Sequence, residues 1–454
     1  MTMFKNVLRI LVPVIAGSLL LVGNARAVLQ IEITQGVEGG IPIAIVPFQW
    51  TGSGPAPAED VSAVISADLR STGQFKLLPE KDFLEHPHRG DEVNFDNWRA
   101  LGVNNLVVGQ VQPAAKGNYK VQFQLFDIYK TATSQDVGKP DYKIKQMAGY
   151  SLPSTASHLR HTAHVISDII YQQLIGKRGA FTTHIAYITA IHKPNGTTYA
   201  LEVADADGHN PHEVLTSSHP IMSPAWSPDG KRLAYVSFET GRPAIYIQDL
   251  ATGKRQLISA RKGINGAPAW SPDGKKLALT LSFEDEGNPE VFVMDLATRK
   301  LRRITYNSAI DTEAAWAPDG KSIIFTSDRS GGPQLYRVSA NGGRPQRLTF
   351  DGSYNAGAAI SPDGTMLAMV HGTDQGLFRI AVMDLKTGLF RVLTDGREDE
   401  SPTFAPNGSM ILYATDYKKN GVLAAVSVDG RVRQRLEFHG GDVREPAWGP
   451  FSDQ

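Results

Sequence analysis

One phrase occurs six times in the second half of this chain: SPAWSPDG from Ser223, APAWSPDG from Ala267, EAAWAPDG from Glu313, AGAAISPDG from Ala356, SPTFAPNG from Ser401 and EPAWGP from Glu445. Its bulky apolar residue falls at Trp226, Trp270, Trp316, Ile360, Phe404 and Trp448, in steps of 44, 46, 44, 44 and 44 residues. A period near 44 is the length of one four-stranded propeller blade and is far from helical repeats of about 33 or 34 residues. The repeat therefore fixes the architecture of the last ~275 residues.

Within one unit the local signals are those of strands. Ser223 begins a strand ending in Trp226, and Ser227-Pro228-Asp229-Gly230 is a turn in which proline presets φ and glycine accepts a positive φ. Leu233, Tyr235 and Ser237 then alternate with Arg232, Ala234 and Val236, and residues 244–250 and 255–259 supply two further strands around Thr252-Gly253. Strand-like segments at 184–191, 199–204 and 213–216 precede the first phrase, and Trp448 of the last phrase stands six residues from Gln454. The last phrase is thus expected to be the innermost strand of the first blade, joining both ends into a ring of six and removing exposed sheet edges.

Composition leaves room for a second core: 454 residues, 41% of them apolar, exceed what six blades need. A formal net charge of +0 gives no broad attraction to nucleic acid or membrane. In residues 1–27, Lys5 and Arg9 flank an apolar run at 10–22 that is too short to cross a bilayer, and Ala25-Arg26-Ala27 is a small-x-small cleavage site. Residues 1–27 read as a secretory signal, which makes Val28 the expected mature N-terminus. Cleavage leaves 43 basic against 46 acidic residues, a net charge of −3. There is no cysteine for a disulfide or a lipid anchor, so a soluble exported protein of the periplasm is expected.

Residues 28–178 read as an N-terminal α/β domain and 179–454 as the propeller. The former shows a buried strand at 41–48, an amphipathic helix at 59–71 stopping before Gly73, a short helix around Trp98, and a strand at 104–112. Alternating strands at 119–129 and 142–152 follow, then a helix capped by Ser154 or Thr155 that runs to Leu174 and ends at Gly176. The order β-α-β-α-β-β-β-α suggests helices on one side of a sheet.

Candidate chemistry is thin. His158, His161 and His164 advance by three residues and fan across roughly 120° of the last helix, and no nearby Cys or acidic ligand completes a set, so solvated histidines are expected. Asp205-Ala206-Asp207-Gly208 resembles the start of a calcium loop, yet Thr216 stands where the closing Glu belongs, and a hairpin turn explains the same residues. No G-x-S-x-G, Walker loop or H-E-x-x-H is present. Asp229, Asp273, Asp319, Asp363 and Asn407 recur blade by blade, as turn-forming residues do and catalytic ones do not. No enzyme, cofactor or metal is expected. The alternative is a propeller enzyme or small-ligand-binding protein with its site at the channel mouth.

The stretches IPIAIVPFQW, LGVNNLVVGQV, GKRGAF and MSPAWSPDGKRLAYVSFETGR, behind a signal segment and ahead of six repeats, resemble the TolB family of Gram-negative periplasmic proteins over nearly the whole mature chain. The resemblance implies a component of the Tol-Pal envelope system, supporting outer-membrane integrity and the inward drawing of that membrane at division. Its implied partners are the lipoprotein Pal at the propeller mouth, TolA through the mature N-terminal segment, and other outer-membrane proteins, with some bacteriocins using the same mouth. Carried over by position, Pal would meet Ile264, Asn265, Thr312, Glu313, Tyr354, Asn355, Asp399 and Glu400, although the family more often has a polar residue such as His where Ile264 stands. These positions fall in polar loops that differ between blades (ARKGINGA, NSAIDTEA, FDGSYNAG, DGREDES, GGDVRE), and variable loops on a constant frame suit recognition. The TolA-linked segment would be Val28, Leu29, Gln30, Ile31, Glu32 and Ile33, whose alternating pattern fits an ordinary first strand as well as one that pairs with a partner's edge.

Overall fold

A computed structural model describes residues 28–32, 39–130, 146–283, 287–437 and 441–451. The expected signal segment, Ile33 and residues 142–145 of an expected strand lie outside the described residues.

Six four-stranded antiparallel sheets follow one another, spanning 184–217, 221–259, 265–303, 311–347, 354–392 and 400–437. The first holds only three strands from its own stretch; the fourth and innermost is Asp442–Trp448, paired antiparallel with His184–Lys193 from Asp442↔Ala190 to Trp448↔Ile185. The ring closes as the phasing of the repeat requires. Each phrase also has a structural use. The Trp226 indole donates to the Ala447 carbonyl (3.0 Å), Trp270 to Ala225 (3.1 Å) and Trp316 to Ala269 (3.1 Å), so each tryptophan ties its blade to the one before. In the turn that follows, Asp229 accepts the Lys231 amide (3.1 Å) and Ser227 Oγ accepts that of Arg232 (2.9 Å), which satisfies the donors of a tight reversal inside the side chains that define the phrase.

The N-terminal segment forms β1 (Val28–Glu32), which pairs antiparallel with Arg433–Glu437, the outer strand of the last blade, as a fifth strand. Its own domain is built on a separate sheet: β2 (Ile41–Ile45), β3 (Gln49–Trp50), β4 (Phe75–Leu77), β5 (Asn105–Pro113), β6 (Tyr119–Asp127) and β7 (Gln146–Ser154). The order is β4-β2-β5-β6-β7 with β3 also on β5; β2 pairs in parallel with β4 and β5, and the rest of the path is antiparallel. Helices α1 (Val61–Ser71) and α3 (Leu159–Ile175) cover one face with Val64, Ile65, Leu69, Ala163, Ile166 and Ile170. The expectation of helices on one side alone is corrected here. The short α2 (Phe95–Ala100) packs Phe95 and Trp98 on Ala44, Val46, Leu106 and Val108, the side chains that alternate to the opposite face. Asp60 caps α1 by accepting the Ala63 amide (3.1 Å). Gly176 ends α3 at φ 79°, while the expected Ser154/Thr155 cap gives way to a 3-10 turn, Ala156–His158, ahead of the helix proper.

Candidate binding face of the propeller

The inner strands carry a feature the phrase does not announce. Three residues before each bulky apolar position the chain bulges, and the residues there have left-handed φ: Ser223 (52°), Ala267 (43°), Glu313 (53°), Gly357 (62°), Ser401 (54°) and Glu445 (49°). All six line one cavity of about 420 Å³ on the channel. A bulge re-aims a strand where a regular ladder would seal it. Here it turns backbone and side chains into the channel. Glu445 accepts the Ser223 amide of the next blade, and Glu313 accepts that of Gly357 (3.0 Å) and the Thr326 hydroxyl (2.9 Å).

Glu313, Glu400 and Glu445 thus gather around one space. Burial, opposed by the Ser223 amide and reinforced by the charge of Glu400, pushes Glu445 up to about 7. Burial also raises Glu400, against the pull of Arg444. The channel is acidic and short of cations.

The eight residues expected to meet a partner divide by depth. Asn265, Asn355 and Asp399 are buried at the starts of their strands, where each ties a loop to its blade. Asn265 accepts from Ser259 Oγ (2.6 Å) and donates to the Arg261 carbonyl (2.7 Å); Asn355 donates to Gln334 (3.0 Å); Asp399 accepts from Thr415 Oγ1 (2.6 Å). Their hydrogen bonds are used up inside the blades. Ile264 is exposed, Thr312, Tyr354 and Glu400 are half-buried, and Glu313 opens onto the channel.

Three residues of this face were missed by reading the loops as polar. Tyr306, Ile310 and Phe350 are 74%, 48% and 72% exposed, and with Ile264 (43%) they occupy three successive loops that enter inner strands. The available signal was positional. Tyr306 follows Ile304-Thr305 and Phe350 follows Leu348-Thr349, and an arginine stacks on each ring, Arg303 at 4.7 Å and Arg347 at 5.0 Å. An apolar arc of this kind beside a polar channel is the composition of a protein interface rather than of a substrate pocket.

A second cluster lies between the domains and corrects the reading of the helix histidines. His158 and His161 are exposed, as expected, but His164 is buried and its Nδ1 lies 2.8 Å from Asp68 Oδ2 of α1. Its Nε2 lies 3.5 Å from Asp207 Oδ2, on the turn after the second strand of the first blade. Acidic partners do stand beside it; they arrive from α1 and from the other domain, which spacing along one helix cannot reveal. Arg160 donates Nε to Asp207 (3.1 Å) and Nη1 to Glu59 (2.9 Å). Asp207 therefore does more than turn a hairpin. Asp68, His164 and Asp207 present ligand atoms within 4.8 Å of one another, but the Arg160 guanidinium already supplies a cation at Asp207 and the His164 Nδ1 is engaged, so the set is an ion-pair network. Burial alone would lower His164, but the charge and hydrogen bond of Asp68, with the charge of Asp207, raise it to about 9. Burial would raise Asp207, yet the His209 hydrogen bond and the charges of His164 and Arg160 hold it far below the carboxylate range.

A closed ring with a constant frame, variable entry loops and a small α/β domain attached defines a two-domain, six-bladed propeller protein. The chain belongs to the TolB family. The family described as "TolB amino-terminal domain" matches residues 29–134 and that described as "TolB beta propeller domain" residues 171–452. The Tol-Pal system protein TolB of Thioalkalivibrio sulfidiphilus is 55% identical over 431 residues, 95% of each chain, and that of Nitrosococcus oceani 56% identical over 93% of this chain and 94% of its own. The crystal structure of TolB from Acinetobacter baumannii covers 93% of this chain and 100% of its own, at 41% identity and a TM-score of 0.82. Among the described residues no helix is long and apolar enough to cross a membrane.

Proposed function

We propose that this chain is a periplasmic, non-enzymatic scaffold of the Tol-Pal system that binds the lipoprotein Pal on the propeller mouth and engages TolA through its N-terminal segment. Outer-membrane integrity and invagination at division are the processes it would serve. The observation that carries the reading is the apolar arc of Ile264, Tyr306, Ile310 and Phe350 beside the acidic channel, on loops that differ while the frame beneath them repeats. Within this reading, β1 is the TolA-linked segment, and its pairing with the last blade is one state of a docked-or-free equilibrium that Pal binding shifts.

Calorimetric titration of residues 28–454 with the soluble domain of Pal tests the mouth. Saturable binding that is lost in Phe350→Arg, a variant whose thermal unfolding matches wild type because the ring is exposed, is the expected result. A folded wild-type protein that binds no Pal would overturn the reading. Hydrogen exchange of residues 28–32 should change on Pal binding; equal protection with and without Pal would remove the equilibrium from the proposal.

A further inference from the structure

We propose that Asp207, gripped by Arg160 and His164, is an electrostatic clamp that sets the orientation of the N-terminal domain on the propeller and opens when His164 loses its proton. The clamp stands beside the covalent connection, to which the Ala206 amide is tied by its bond to the Thr183 carbonyl (3.0 Å). At the connection, the Asp168 carboxylate accepts the Phe181 amide (3.0 Å) and the Thr182 hydroxyl (2.6 Å), Asn407 donates to the Arg178 carbonyl (3.1 Å), and Arg178 stacks on Phe451 (4.4 Å). Gly73, just beyond α1, approaches the last blade so closely that a Cβ there would lie 2.0 Å from Val432 Cγ2. These contacts fix where the domains touch. Asp207 adds charged contacts at Arg160 and His164, one to two helical turns from Asp168 along α3, and so broadens the contact that resists hinge motion.

The charges facing His164 come from every surrounding element. Asp68 belongs to α1 and Glu59 to the segment before it; Arg160 and the exposed His161 lie on α3; Asp205, Asp207, His209 and His184 belong to the first blade. With His164 charged, Asp68 and Asp207 each have a cation against them. A neutral imidazole can donate to one carboxylate only, which leaves Arg160 to answer Asp207, Glu59 and, at longer range, Asp68. An under-neutralised carboxylate in a buried interface is costly, and admitting the water that would solvate it loosens the contact between the domains. A cavity of about 50 Å³ already adjoins the cluster, lined by Asp68, His164 and Asp207 together with Met410, Leu412 and Leu436 of the last blade. The His164 Nε2 has no hydrogen-bond partner and is held to Asp207 by charge at 3.5 Å, so this contact in particular depends on the proton.

The chain contains no cysteine, so spin labels can be placed by Ala115→Cys and Lys300→Cys, both exposed and in different domains. Pulsed electron resonance on residues 28–454 should give one narrow distance at about pH 7 and loss of that single peak at about pH 10, with far-UV circular dichroism unchanged. Asp207→Asn should lose it at about pH 7, and His164→Gln should give the same broad distribution at both values. Overturning results are a wild-type distance that stays narrow throughout, a folded Asp207→Asn protein with the wild-type distance, or alkaline broadening that persists undiminished from a narrow start in His164→Gln. If a variant fails to fold, the midpoint of the wild-type broadening decides: a value near pH 9 supports the clamp, and one above about 10, where tyrosines and lysines titrate, overturns it.

Discussion

Two carboxylates in this molecule, one in the channel and one between the domains, are pushed in opposite directions. In the channel, Glu445 faces Glu400 and Glu313 with Arg444 as the cation nearby, and it is raised to about 7. Between the domains, Asp207 faces Arg160, His164 and His209 and is held far below the usual range. Burial acts on both in the same direction, so the company decides the outcome. Like charges gathered around an open cavity raise one another, whereas opposite charges folded into an interface hold the carboxylate ionised.

The largest test of that contrast removes a cation from the closed region. Arg160→Met leaves Asp207 and Glu59 without their guanidinium in an interface where Asp207 is only 10% exposed. Loss of one partner of a buried pair typically costs about 3 kcal/mol or more. Urea denaturation should show a shift of this size; a change within about 0.5 kcal/mol, the size of an ordinary surface substitution, would mean the network contributes nothing net.

The open region is expected to answer with pH. The folded pKa of Glu445, about 7, lies above its ordinary 4.5, so between those values the native state holds a proton that the unfolded chain has released. Stability therefore falls as pH rises across this window, by at most ~1.4 kcal/mol per unit for one group. Glu445→Gln keeps an acceptor for the Ser223 amide and removes the titration. Its decline should be shallower than that of the wild type by the share of this one group, the raised Glu400 keeping the remainder, and an undiminished decline would locate the proton elsewhere. His164 supplies a second limb of the same sign: its stabilisation is complete below its ordinary 6.5 and is lost as pH rises through about 9. The two regions are thus separable on one pH axis.

How much of this was legible beforehand depended on whether the cause lay within one repeat or between distant segments. The ring and its closure by Asp442–Trp448 could be read because each blade restates its own turn, and periodicity survives without contacts. The strand boundaries at 255–259 and the stop of α3 at Gly176 followed from local turn and capping chemistry. By contrast, β4 was counted in the element order without a residue pattern to locate it, being three residues long, and α2 lay across the sheet because Trp98 follows the other side of the β5 alternation. His164 was misread because its partners Asp68 and Asp207 are 96 and 43 residues away. Asn265, Asn355 and Asp399 look like loop polars in sequence, yet their position five before the bulky residue places them at the start of a strand, where they close a blade. Exposure of Tyr306 and Phe350 could not be told from burial, since aromatic residues fill most strand interiors.

The smallest expected effect concerns the six bulges, which belong to the frame rather than to the variable loops. A non-glycine residue in the left-handed region carries a cost of about 1–2 kcal/mol, and Ala267 bears it at φ 43° while Gly357 at the equivalent place does not. Ala267→Gly relieves that cost but gives the unfolded chain more freedom, worth about 0.4–1 kcal/mol in the other direction. A net gain of a few tenths to about 1 kcal/mol should remain. Gly357→Ala should lose a comparable amount through φ alone, because an added Cβ would meet only Val370 Cγ2 at 3.6 Å, ordinary contact. If the bulge is frame, Ala267→Gly changes the unfolding midpoint and leaves Pal titration unaltered. If Pal affinity falls while stability rises, the strained backbone is itself part of the recognition surface, and the boundary between the constant frame and the open region must be moved inward to include the ring of bulges.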